Sequence, residues 1–510
     1  MSRTKNSFYN LATSLSTELI SLVLKFVVRT IFIYQLGVVY LGINSLIMNL
    51  ISLLSLTELG FGTAITFHLY KPLNKGDEKK IRQLLLFFKH TYFIIGIIIL
   101  CLGLLLLPTL NIIIAENTLD ISVHIIFLLY LVQTVSSYLF YAFKHTLIRA
   151  HQKEYVINNF KTFFSILSSV LQITIILLTR NFYLFVGILI LTNFIMNISI
   201  ARYAEIKYKS MLLPDNTPLD KNEKKELYFD SISIVFYKLY DKITGSLGNV
   251  FLTAFAGLYV VGLFSNYMLI FSTIIVFLSK IYSAIVSSLS DLKATENNDN
   301  LIKIFNFMNF ITFIIFGFVS IVTYFVLDLF IEVWIGSAYL FTEKFKILFS
   351  INLLLTGYKL FFDLFRTSLG LFQKAKFRPI IGIVINVILS YLLIKRFGVI
   401  GLLSASIFTN IATFFWYDPL IIIKYGIFYD FKKYFFTNVI YFSCLVFTFT
   451  LTYFIVSKVS IHNDVLHLIV RFLIASFISF SVLLITNIKS SNLSYGIEKV
   501  KYIIRKGKKT

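Results

Sequence analysis

Long apolar runs separated by short polar breaks set the pattern of this chain. Cutting at the breaks leaves fourteen runs, approximately 11–36, 40–67, 84–108, 121–143, 156–179, 182–203, 230–256, 259–287, 302–327, 340–365, 379–396, 401–423, 435–457 and 464–486. A helix that crosses the hydrocarbon core of a bilayer needs about 20 mainly apolar residues. Strands of a membrane barrel would show as short segments of alternating polarity, whereas these runs are unbroken. The pattern predicts an all-α polytopic membrane protein of about 14 transmembrane helices.

Composition excludes a soluble particle. The 510 residues are 57% hydrophobic and 14% charged, against roughly 25% charged in soluble domains. The polar, basic start from Met1 to Asn10 leads into a stretch longer than a signal-peptide core, with no small-residue cleavage site, so it is read as a retained first helix. Cys101 and Cys444 lie inside apolar runs and make no metal or disulfide spacing.

The net charge of +22 raises the question of nucleic acid, and the positions of the charges answer it. With the N-terminus placed in the cytoplasm, 35 of the 47 basic residues fall in alternate, inside segments and 6 in outside ones. That asymmetry is the signature of membrane orientation. It predicts cytoplasmic N- and C-termini and no nucleic-acid partner. The basic tail, Lys499 to Lys509, is expected against anionic lipid.

The longest inside connection, from Arg202 to Glu226, holds Pro214 and Pro218 and divides six runs from eight. Sliding the chain by 220 residues places Gly37, Gly42, Ser45 and Ser52 on Gly257, Gly262, Ser265 and Ser272. A slide of 221 places Gln152 and Lys153 on Gln373 and Lys374. Both sets occupy matching topological positions, which predicts two pseudo-symmetric six-helix lobes in parallel orientation with substrate between them. The expected organisation is a lobe over 1–205, a cytoplasmic linker over 206–229, a second lobe over 230–423, a helix pair over 424–486 and a basic tail over 487–510.

Ionisable side chains inside spans are costly and usually face a cavity or a partner. Glu18, Lys25 and Arg29 are spaced 7 and 4 apart, on one face of the first helix. Folding the first hairpin brings Glu58 level with Glu18, well below Lys25, and Asn49 near Arg29. Lys25 and Arg29 are thus under-neutralised, which suits an anionic ligand; a structural ion pair with another helix is the alternative. Lys238 and Lys242 share a face of the seventh span, with Asp241 able to pair with Lys238; snorkelling to the inner surface competes with a ligand role. Lys359 and Asp363 form an i,i+4 pair in the tenth span, read as structural or coupling. No His-based metal motif, Gly-rich phosphate loop or sizeable soluble segment is present, so the chain is expected to be a non-enzyme without metal or cofactor.

Local wording then narrows the picture. Glu58-Leu59-Gly60-Phe61-Gly62-Thr63-Ala64-Ile65, followed by Leu69-Tyr70-Lys71-Pro72-Leu73, resembles the end of the second helix in flippases for capsule and exopolysaccharide repeat units. Val261-Gly262-Leu263-Phe264-Ser265-Asn266-Tyr267 resembles the start of their eighth. With fourteen spans and a trailing pair, the whole chain resembles the polysaccharide (capsule, exopolysaccharide or O-antigen) branch of the multidrug/oligosaccharidyl-lipid/polysaccharide exporter superfamily. Relatives carry an acidic residue where this chain has Gly248, so no ion-coupling role is carried over to that helix.

The resemblance implies a multi-pass protein of the bacterial plasma membrane. By alternating access it would flip undecaprenyl-pyrophosphate-linked oligosaccharide from the inner to the outer leaflet, for a cell-surface polysaccharide. Partner polymerases and glycosyltransferases of the same pathway are implied too. Lys25, Arg29, Lys238 and Lys242 would then hold pyrophosphate. Asn49, Gln133, Gln172 and Asn266 would meet sugar hydroxyls, with interhelical hydrogen bonding as their alternative. Spans 13 and 14 would border a groove for the lipid tail. Glu18, Glu58, Asp241, Lys359 and Asp363 are the candidates for charge pairing or coupling. Other readings are a peptidoglycan-precursor flippase, a cation-coupled drug exporter of the same superfamily, which would want acidic rather than basic residues in its cavity, and a membrane-embedded polymerase or glycosyltransferase.

Overall fold

The computed structural model describes residues 3–55, 61–114, 121–213, 219–295, 298–371, 374, 377–496 and 498. Among them every regular element is helical: α1 (Arg3–Leu36), α2 (Val38–Leu54), α3 (Phe61–Lys75), α4 (Glu78–Leu106), α5 (Leu110–Ile113), α6 (Val123–Ser136), α7 (Ala142–Ala150), α8 (Glu154–Thr179), α9 (Phe182–Lys207), α10 (Lys221–Thr295), α11 (Asn298–Ile335), α12 (Glu343–Leu369), α13 (Phe377–Ala412), α14 (Phe414–Ile422), α15 (Phe431–Val456) and α16 (Asp464–Thr486). Glu58, Gln373, the two linker prolines and the tail from Lys499 lie outside the described residues, as does the side chain of Lys238.

Eleven helical segments among the described residues are long and apolar enough to cross a membrane, and the chain is a multi-pass membrane protein. Two of the eleven, Leu239–Ser283 and Phe377–Ile427, each extend across two of the runs cut from the sequence. Their internal breaks fall at Gly257 and Gly398, both at positive φ. The run predicted over 40–67 is divided between α2 and α3. Only backbone hydrogen bonds made within a segment satisfy its polar groups in lipid, so an apolar run of this length has one structure open to it.

Helix starts outside the core carry side-chain caps. Asp77 accepts from the Lys80 amide at 2.9 Å, Asn181 from Leu184 at 3.1 Å and Asn463 from Leu466 at 3.0 Å. Each satisfies an amide that the first turn leaves without an intrahelical partner. Gly37, at the start of α2, has φ 89° and ψ 175°. Gly257, its counterpart at a slide of 220, has φ 83° and ψ 168°. Only glycine adopts this conformation without strain, so the same break is built twice from the same residue.

The helices form two compact units, Met1–Asn266 and Tyr267–Thr510. In the first, α1 lies along α8. Thr17 meets Thr162 at 2.7 Å, and Asn10 takes the Gln152 carbonyl at 2.9 Å while accepting from the Tyr155 amide at 2.8 Å. Phe32 packs edge-on to Phe182 and Phe185, with ring centroids 5.8 and 4.9 Å apart.

The second unit is cored by aromatic rings. α15 packs on α11 through Tyr441 stacked on Phe313 at 4.4 Å, and Phe305 lies 5.1 Å from Phe361 and 5.0 Å from Phe365 of α12. Lipid offers helices no hydrophobic incentive to associate, so close packing carries the contact. Gly357 of α12 makes room for Phe316: a Cβ there would sit 2.0 Å from the ring. Gly357→Ala is therefore expected to destabilise the second unit by about 1–3 kcal/mol through overpacking. A lower melting temperature in detergent, partly restored by adding Phe316→Leu, is the result that checks it.

Candidate functional site

The first unit holds Lys25, Arg29 and Lys242, three of the cations that the sequence places inside spans. Lys25 lies near the middle of the Ala12–Leu36 span and is exposed at the surface of the unit. One turn on, Arg29 Nη1 donates to the Ser265 carbonyl at 2.6 Å and approaches Ser265 Oγ and Asn266 Oδ1, both at 3.4 Å. Lys242 Nζ donates to Ser52 Oγ of α2 at 2.8 Å. Asn49, three residues before Ser52, spends its amide on the Ser45 carbonyl of its own helix at 2.7 Å. Among the described residues, no carboxylate lies within ion-pairing distance of Lys25, Arg29 or Lys242. Glu18, on the same face as Lys25 and Arg29, is half-buried and forms no ion pair with them. Neutral acceptors orient Arg29 and Lys242 but leave their charge uncompensated, an arrangement that favours an anion.

Other residues singled out from the sequence stand apart. Gln172 is buried and donates to the Phe185 carbonyl across α8 and α9 at 3.4 Å. Gln133 lies near the end of α6, where its carbonyl accepts from the hydroxyls of Ser136 at 2.7 Å and Ser137 at 3.1 Å. Asp241 is exposed. Asn266 is the one polar candidate brought against a cation, with its amide on the Gly262 carbonyl at 3.4 Å.

In the second unit, Asp363 pairs with Arg366 of the same helix, so the expected Lys359–Asp363 pair is joined by a larger assembly. Arg366 Nη1 also reaches Asp418 of α14 at 2.9 Å, and Arg378, in the first turn of α13, reaches the same oxygen at 3.1 Å. Arg366, Arg378 and Asp418 are all buried. Two arginines from different helices thus clamp one carboxylate and tie α12, α13 and α14 together. The sequence reading missed this. Arg378 stands at the edge of an apolar run, where it counts as an inside-loop charge. Asp418 sits inside the 401–423 run, where an ionisable residue was itself the available signal. The slide of 221 that pairs Gln152 with Gln373 also places Arg366 on His145 and Asp418 on Asn197.

The second unit also holds an apolar cavity of about 510 Å³, bounded by Ile321 and Tyr324 of α11, Leu354 of α12, and Phe442, Leu445 and Phe449 of α15. Its only polar groups besides Tyr324 are the hydroxyls of Ser320 and Ser350, buried without a hydrogen-bond partner. Tyr324 closes one end with its hydroxyl on Glu343 at 2.9 Å, beside the Lys346–Asp328 pair at 2.9 Å. Its apolar lining suits a hydrocarbon chain.

No family model matches the chain, and no curated protein matches it. Solved structures do. A multidrug resistance MATE family transporter of the MOP superfamily, in an inward-facing conformation, aligns with a TM-score of 0.61 at 15% identity, over 82% of this chain and 99% of its own. The lipid II flippase MurJ, in an inward closed conformation, aligns with a TM-score of 0.60 at 14% identity, over 93% of this chain and 98% of its own. A MOP superfamily transporter from Pyrococcus furiosus aligns with a TM-score of 0.52 at 13% identity, over 81% and 96%. The chain therefore has the fold shared by the transporters of this superfamily.

Proposed function

We propose that the chain is a flippase that carries a lipid-linked oligosaccharide, joined through pyrophosphate to undecaprenol, from the inner to the outer leaflet. The observation that carries this reading is the set of Lys25, Arg29 and Lys242, inside spans of one unit and without a carboxylate partner among the described residues. A cationic drug would be repelled there, whereas a pyrophosphate supplies the missing charge. The apolar cavity beside α15 supports a lipid-borne substrate, since a polyprenyl tail needs such a lining. Transport, rather than chemistry on the lipid, agrees with a fold shared with exporters.

A second reading has support of its own. MurJ is titled a lipid II flippase and aligns over 93% of this chain, and a peptidoglycan precursor presents the same pyrophosphate and tail. Deletion of the protein in its source cell, followed by locating and sequencing the accumulated lipid-linked saccharide, separates the two. We expect a polysaccharide repeat unit held on the inner leaflet. Accumulated lipid II would establish the second reading, and normal outer-leaflet display without the protein would overturn both.

A further inference from the structure

Gly42 of α2 and Gly262 of α10 lie against each other's helices. A Cβ on Gly42 would sit 2.1 Å from the Leu258 carbonyl oxygen, and one on Gly262 would sit 2.2 Å from that of Val38. The contact is reciprocal, and a slide of 220 exchanges its two halves, so repeat-related backbones touch with no side chain between them. Glycine on both sides permits this approach, because any side chain in the seam would hold the backbones apart.

Arg29 is fastened to the turn that follows Gly262. Its Nη1 donates to the Ser265 carbonyl at 2.6 Å. Ser265 Oγ and the Asn266 amide in turn donate to the Gly262 carbonyl, at 2.8 and 3.4 Å. One line of hydrogen bonds therefore runs from α1 to the crossing. Among the described residues, every acceptor that Arg29 meets is neutral. The guanidinium makes charge-assisted bonds to either kind of acceptor, but an anion adds a charge–charge attraction that a neutral carbonyl lacks, so an anion reaching α1 competes with the Ser265 carbonyl for this side chain.

We propose that Arg29 is a releasable latch. Fastened to Ser265 and Asn266, it holds the Gly42–Gly262 crossing closed; drawn onto the anionic headgroup, it lets the crossing part. The coupling rests on the headgroup reading above and assigns Arg29 a positioning role in addition to contact with the substrate. Binding of the cargo is then what frees the helices to move, and an empty transporter stays shut at this point.

The test uses the full-length protein in nanodiscs with Cys101 and Cys444 changed to Ser. Spin labels are placed at Tyr34→Cys and Tyr259→Cys, both exposed positions. The unliganded protein is expected to show one short distance between labels. Arg29→Gln without ligand moves the larger part of the distribution to a longer distance, and saturating undecaprenyl pyrophosphate does the same to the unsubstituted chain. Arg29→Lys keeps the charge but not the planar fork, and gives a partial shift should Arg29→Gln fail to fold. An unchanged distance in a folded Arg29 variant overturns the latch. Lipid that binds by native mass spectrometry without changing the distance overturns the release step and leaves the substrate reading standing. Opening in Arg29→Gln with no lipid bound by the unsubstituted chain keeps the latch and overturns the substrate reading.

Discussion

Lys25→Ala is expected to slow flipping of a labelled undecaprenyl-pyrophosphate oligosaccharide in proteoliposomes by about ten- to a hundredfold, the equivalent of the roughly 1.5–3 kcal/mol of a hydrogen bond to a charged group. Lys25 stands near mid-span on the face it shares with Glu18 and Arg29, with no carboxylate in ion-pairing distance among the described residues. A cation there is a cost to the resting protein, so alanine should leave the melting temperature unchanged or raise it. Loss of transport together with retained stability is what a ligand-binding cation gives and a structural one does not. Lys25→Arg, which retains the charge, should recover most of the rate. Wild-type flipping by Lys25→Ala would remove this residue from the site.

Asp418→Ala is expected to have the largest effect on stability, about 3–5 kcal/mol, because it removes the buried carboxylate that Arg366 and Arg378 share in the interior of the second unit. A sharp drop in melting temperature in detergent, with lower yield from the membrane, is the result expected. Asp418→Leu combined with Arg378→Met removes opposite charges together and should recover a large part of the loss, since a buried ion pair is often replaceable by packed apolar side chains. If Asp418→Ala melts like the unsubstituted protein, the clamp contributes nothing to the fold.

The helices were legible in the sequence because a bilayer leaves an apolar run of 20 or so residues no other structure. The glycine repeat was legible as well, and Gly37 and Gly257 adopt the same backbone. What linear reading lacks is the partner. The spacing of Glu18, Lys25 and Arg29 places them on one face, but it carries no mark of Ser265, 236 residues away. In the same way, the i,i+4 spacing of Lys359 and Asp363 carries no mark of the contacts that packing adds, from Arg366 to Asp363 and from Arg366 and Arg378 to Asp418. Local periodicity fixes which residues share a face; the choice of partner depends on how separate helices pack, and no single helix encodes that.

The clamp on Asp418 also bears on how the protein enters its membrane. Arg366 precedes Asp418 by 52 residues and Arg378 by 40, so the cations leave the ribosome first. An ionised side chain within a lone inserted helix is costly, and an opposite charge already alongside relieves that cost. By the time Asp418 is made, α12 and the start of α13, which carry both its partners, have already been made. Orderly biogenesis of the second unit follows from the same three side chains that brace it once assembled.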